Sequence, residues 1–133
     1  MAREILFKAK RVDNGEWVEG LLTIMWGQYH IINPSNENVA YPIDAETICQ
    51  YTGLTDKNGK KIWENDICYY DDMDICVIRF GKYDNNTGHK HIGFYTDWQQ
   101  YKDLYRHDLG FWVAECEVEV IGNIFDNPEL LEG

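Results

Sequence analysis

The chain has 133 residues, 44% hydrophobic and 14% aromatic, with a formal net charge of −11. This length fits one domain spanning residues 1–133, and the apolar content supports a packed core rather than a disordered chain. So acidic a chain repels nucleic-acid phosphates, and no apolar run approaches the ~20 residues of a membrane-spanning helix.

In chain order, Glu4 to Lys10 alternates as a half-buried strand does, with Ile5, Phe7 and Ala9 on one side. Asp13-Asn14-Gly15 is a hairpin turn leading into a strand from Trp17 to Ile24. Short strands follow at Tyr29–Asn33, Val39–Ile43 and Thr47–Tyr51, punctuated by Pro34-Ser35-Asn36 and Pro42. Lys57-Asn58-Gly59-Lys60 lies between apolar runs, and Asn-Gly suits a type I′ turn in which both residues take positive φ. Glu64-Asn65-Asp66 is a second polar turn before a strand at Ile67–Tyr70. Across the acidic turn 71–74, Ile75–Phe80 pairs back onto that strand.

From Thr96 to Leu109 the pattern changes. Trp98, Tyr101, Tyr105 and Leu109 recur at helical spacing, Thr96 with Gln99 resembles a capping box, and Gly110 suits a C-cap. The reading is one inserted helix at about 97–109. Glu117–Val120 alternates as a late strand, with Val118 and Val120 on one face. Pro128 then starts a terminal helical turn that lays Leu130 and Leu131 over an apolar edge.

Three stretches carry a resemblance. Thr52-Gly53-Leu54 with Asp56 to Ile62 and Glu64-Asn65-Asp66-Ile67 is similar to the signature of the YopX family, small proteins of phages and prophages. The opening from Lys8 to Gly20, with Trp17, and the tail from Val120 to Leu131 resemble the family's two ends. The family form has glycine where this chain has Asn65, and asparagine also accepts left-handed backbone. The segment from Tyr83 to Val113 carries no resemblance. The likeness implies a phage or prophage setting in the bacterial cytoplasm, and no established activity. Together with the short strands it gives a mainly β fold: a small, partly open SH3-like barrel with additional hairpins and the one helix.

Few residues suggest chemistry. Lys57, Lys60 and Lys61 beside Trp63 form a small basic and aromatic cluster of the kind that grips single strands, set against 23 carboxylates. His89 and His91, at i and i+2, face one way on a strand and would hold a metal if His107 or Asp108 supplied a third ligand. Asp71, Asp72 and Asp74 resemble half a calcium loop, but its sixth and twelfth positions hold Cys76 and Lys82. Glu64 and Asp66 are a close carboxylate pair that fits turn structure better than acid–base work. Cys49, Cys68, Cys76 and Cys116 show no CxxC spacing. With no apolar leader at the N-terminus, they read as free thiols in a reducing compartment, Cys68 and Cys76 lying near each other across a hairpin. No phosphate-binding loop, dinucleotide fingerprint or nucleophile elbow is present.

The expectation is a non-catalytic accessory protein without a cofactor. It would bind a protein of the phage or host, or a second copy of itself. Nucleic-acid contact through the Lys57–Trp63 hairpin is the first alternative, and a small metal enzyme using His89 and His91 the second.

Overall fold

The computed structural model describes residues 5–36, 38–70, 74–84, 88–98 and 107–132. The chain divides into two compact units, Met1–Gly53 and Leu54–Gly133. It is mainly β, with a six-stranded antiparallel sheet in the spatial order Ala40–Pro42, Gln28–Ile32, Trp17–Met25, Phe7–Lys10, Cys49–Thr55 and Lys61–Trp63, and a four-stranded one in the order Glu119–Asn123, Asp66–Tyr70, Asp74–Asp84 and Lys90–Trp98.

In the first unit the strands are β1 (Phe7–Lys10), β2 (Trp17–Met25), β3 (Gln28–Ile32), β4 (Ala40–Pro42) and β5 (Cys49–Thr55), which runs across the unit boundary. One strand organises this unit. β2 pairs with β1 from Trp17 to Gly20 and then with β3 from Leu21 to Met25. The exchange of partners falls at Gly20, where a Cβ would collide with the carbonyl oxygen of Ile32 and press on Pro34 Cδ at 3.1 Å. Only glycine lets the two backbones approach this closely. Behind it, Ala9, Ile31 and Ile43 form a buried cluster, packed by Phe7, Val18, Leu22 and Ile48. The end of β4 turns back to β1: Val12 N donates to Pro42 O at 3.0 Å, and Asp44 N to Lys10 O at 2.9 Å. A short 3-10 turn, Ala45–Thr47, follows, and its Thr47 Oγ1 accepts from Lys10 N at 2.9 Å.

The second unit contains β6 (Lys61–Trp63), β7 (Asp66–Tyr70), β8 (Asp74–Asp84), β9 (Lys90–Trp98), α1 (Leu109–Cys116), β10 (Glu119–Asn123) and a 3-10 turn at Pro128–Leu131. Its core gathers Ile62, Cys68, Cys76, Ile78, Trp98, Leu109, Trp112, Val118 and Val120. Asp56 ties the central hairpin to the tail. Its Oδ1 accepts from Asn58 N and Lys60 N, and its Oδ2 from Val120 N, each at 2.9 Å. Burial alone would raise the pKa of this carboxylate, which is 7% exposed. The three backbone donors outweigh burial and hold the pKa below the ordinary value.

The expected mainly β fold is present as two antiparallel sheets, and among the described residues no closed barrel is formed. Other expectations need correction. Thr96 to Trp98 does not begin a helix: it ends β9, with Thr96 fully buried and donating its N–H to His107 O at 2.6 Å. Residues 99–106 of the expected helix, like the acidic turn 71–73, lie outside the described residues. The helix present, α1, starts at Leu109, is capped by the Asp108 side chain, and contains Gly110 in its first turn. The Asn58-Gly59 turn is not type I′, because only Gly59 has positive φ (81°). The Asp56 carboxylate fixes Asn58 and Lys60 from within, giving a turn that needs one left-handed residue rather than two. Asn65 does take left-handed backbone, at φ 73°. The terminal turn begins at Pro128 as expected, but Leu130 and Leu131 are only half-buried.

Two outcomes follow for stability. Gly20→Ala should lower stability by about 1–3 kcal/mol, since the added carbon meets backbone that cannot swing aside; a urea midpoint equal to wild type would refute the close-approach account. Asp56→Ala, which strands three backbone donors, should cost about 2–4 kcal/mol. Because the folded-state pKa of Asp56 is depressed, its contribution is present above the unfolded carboxylate value and is lost as pH falls through the folded one. Urea titrations should therefore show the gap between wild type and variant closing at acid pH.

Candidate interaction surfaces

The basic hairpin does not offer the surface its composition suggests. Lys60 is exposed and Lys61 half-buried, but Trp63 is only 4% exposed and belongs to the interior. Its ring cannot stack on a base. Lys57 reaches across to Glu119, Nζ to Oε1 at 3.4 Å, with both side chains partly exposed, a pair worth under about 1 kcal/mol. Asp66, one of the two turn carboxylates, is 3% exposed and accepts from Trp63 N at 2.8 Å, a structural use.

The histidines are not brought together either. His91 stacks on Tyr83 at 5.3 Å, and Tyr83 stacks in turn on Tyr95 at 5.5 Å, forming an aromatic column beside the Gly81–Gly93 pair of β8 and β9. His107 lies by Thr96 near the other end of β9, about 17 Å from His91 at the rise of a strand. There its Nδ1 is 2.9 Å from Thr96 O, while Asp108 Oδ2 accepts from Phe111 N at 3.3 Å to start α1. His89 is exposed just before β9. Among the described residues no three His, Cys, Asp or Glu side chains are grouped to hold a metal ion.

The thiols are built into the interior. Cys68 and Cys76 face each other across β7 and β8, both fully buried and both free. Hydrogen bonding with Cys76, reinforced by burial, pushes the Cys68 thiol well above its ordinary pKa, which makes it a poor nucleophile. Cys116 borders a hollow of about 380 Å³ with Lys57, Tyr69, Tyr70, Glu115 and Glu117. Burial raises its pKa as well, against a lowering by a hydrogen bond with Tyr70.

One surface was missed by residue-type reasoning. Met25-Trp26-Gly27-Gln28 joins β2 to β3, and both central residues have positive φ, 50° at Trp26 and 77° at Gly27. This is the two-residue type I′ hairpin geometry, for which asparagine is the favoured first residue. The indole of Trp26 is 95% exposed. Next to it, Ile24 and Tyr29 are cross-strand partners, 58% and 36% exposed. Between Glu19 and Glu37 there is no Asp, Glu, Lys or Arg, although 26% of the chain is charged. That gap, with a Trp-Gly pair in its middle, was the available sequence signal. In the same unit an open groove of about 490 Å³ is lined by Lys10, Arg11, Val12, Gln28, Ile43 and Asp44, among others.

Among the described residues the class is a two-sheet β protein with one short helix and an apolar hairpin tip. The family model described as YopX protein matches residues 7–132, and the chain belongs to that family. Among solved structures it is similar to protein EF1440 from Enterococcus faecalis, at 24% identity and a TM-score of 0.51, over 98% of this chain and 100% of that one. That likeness shows the fold. A comparison with the curated proteins found no match. No helix among the described residues is long and apolar enough to cross a membrane.

The burial pattern has a chemical readout. Cys49, Cys68 and Cys76 are buried and Cys116 half-buried. A thiol-reactive chromophore added to native protein should label Cys116 first and the other three only on unfolding. Prompt labelling of all four would mean that both units open readily, since Cys49 is buried in the first and Cys68 and Cys76 in the second.

Proposed function

We propose that this chain is a non-catalytic phage or prophage accessory protein that works by binding another protein through the tip of its β2–β3 hairpin. The observation that carries the reading is Trp26, 95% exposed at φ 50°. A bulky residue held in left-handed backbone costs about 1–3 kcal/mol, and asparagine would fill the position with less strain. An exposed indole there contributes nothing to the core. Tryptophan is the residue type most enriched at the energetic centres of protein interfaces. The absence of charged side chains from the hairpin suits an interface centre, where charges are depleted.

The same reading takes the first unit as a small, partly open barrel of the SH3-like kind. Its support is the sharing of β2 between β1 and β3, and the return of the β4 end to β1. In that arrangement the β2–β3 hairpin is one of the projecting loops where such folds carry their binding residues. The nucleic-acid alternative has lost its stacking ring, since Trp63 is buried, and it works against a net charge of −11.

Trp26→Asn separates binding from folding. The variant keeps the turn geometry and removes the indole, so its melting temperature should equal or exceed that of wild type. In affinity capture from induced host cells, quantified against wild type, the specific partners should fall away. Equal capture by both proteins would move the binding surface elsewhere.

A further inference from the structure

We propose that the hairpin tip and the groove are two halves of one joint, and that two copies of this chain pair reciprocally, each seating its Trp26 in the groove of the other. The inference rests on the reading of the tip as the binding surface and names its occupant.

Three observations converge on a second copy. A projecting indole that is 95% exposed is convex, and burying it requires a concave receptor. The first unit carries such a receptor, a groove of about 490 Å³ with Ile43 at its base and Val12, 62% exposed, at its lip. An indole buries on the order of 150–250 Å² when fully enclosed, which a cleft of this size accommodates. Tip and groove also adjoin. Gln28 follows the Trp26-Gly27 turn directly, lines the groove, and donates from Nε2 to Ile43 O at 2.9 Å. A single two-fold rotation therefore brings both tips to both grooves, the self-complementary arrangement of a symmetric dimer.

Charge supplies the third observation. Two copies carrying −11 each repel one another, most strongly where carboxylates face carboxylates. The hairpin has no carboxylate between Glu19 and Glu37, and in the groove Lys10 and Arg11 are balanced by Asp44 and by Asp13, which holds the Arg11 guanidinium at 2.6 Å. The aliphatic stems of Lys10 and Arg11 suit the face of an indole. The joint thus places a neutral tip against a charge-balanced cleft, where the repulsion between two acidic copies is least. Two indoles bury less than the roughly 800 Å² per partner of a stable interface, so the pair is weak and depends on concentration. Added salt should tighten it by screening the long-range repulsion, the opposite of an association held by ion pairs.

The test uses the full chain in sedimentation velocity, from about 5 μM to 500 μM, the range in which a weak dimer is read. Wild type should pass from monomer to dimer, with a dissociation constant that falls as salt rises. Trp26→Asn removes the tip and Val12→Glu blocks the groove, and each alone should weaken pairing by roughly tenfold or more while leaving the melting temperature near wild type. Mixing the two variants restores one joint per pair, because one supplies a tip and the other an intact groove. A mixed dimer stronger than either variant alone is the decisive result. Should either variant melt early, Trp26→His and Val12→Lys take their places. Wild type that remains monomeric throughout overturns the proposal but leaves the tip free to bind another protein, and capture that still depends on Trp26 would show that. Dimers that ignore both substitutions, or variants that fail to complement, overturn it as well.

Discussion

The arrangement of the first unit follows from a steric constraint at Gly20. β2 serves two neighbours in succession, and the handover happens where its backbone lies against the carbonyl of Ile32 with no room for a side chain. Beyond that point β2 continues beside β3 to the hairpin whose tip is Trp26. The end of β4 returns to Lys10 and Val12, which line the groove with Ile43 and Asp44. Tip and groove thus both rest on strands that meet at Gly20. A larger residue at position 20 would disturb both before it affected any surface side chain.

Where the fold was legible in the sequence, short-range chemistry was responsible. The alternation around Ala9 and around Val118 and Val120 places those residues in the buried interior, and Pro128 marks the start of the final turn. Asn65 adopts the left-handed geometry that its resemblance to a glycine position implied. The helix failed for a physical reason. Trp98 at helical spacing from Leu109 mimics an amphipathic stripe, but Trp98 is buried from a strand. The real helix, Leu109 to Cys116, is apolar on nearly every side and so lacks the polar stripe that betrays a period of 3.6. The Asn58-Gly59 turn misled because its conformation is imposed by the Asp56 carboxylate, a tertiary partner as well as a local one.

The candidate sites were less legible than the fold. A cluster of lysines beside a tryptophan reads as a surface in sequence, yet burial decides whether the ring is available, and burial depends on the whole sheet. Two histidines two residues apart share a face, but a third ligand is a matter of distance that only the register of β8 and β9 reveals. The hairpin tip was hidden for the opposite reason. An exposed tryptophan and an interior one look alike in sequence, and only the absence of charge around Trp26 distinguishes it from Trp63.

Asp56 has a consequence in time as well as in space. Its third donor, Val120 N, lies 64 residues further along the chain. At ribosomal rates of about 5–20 residues per second, several seconds separate the synthesis of the two. During that interval the carboxylate can organise only its own hairpin, and the position of β10 in the sheet stands empty beside β7. Closing so long a loop carries an entropic cost that the final strand must meet on arrival. The second unit is thus a structure whose assembly waits for its last strand, and an unfinished chain would expose the apolar edge of β7 until then.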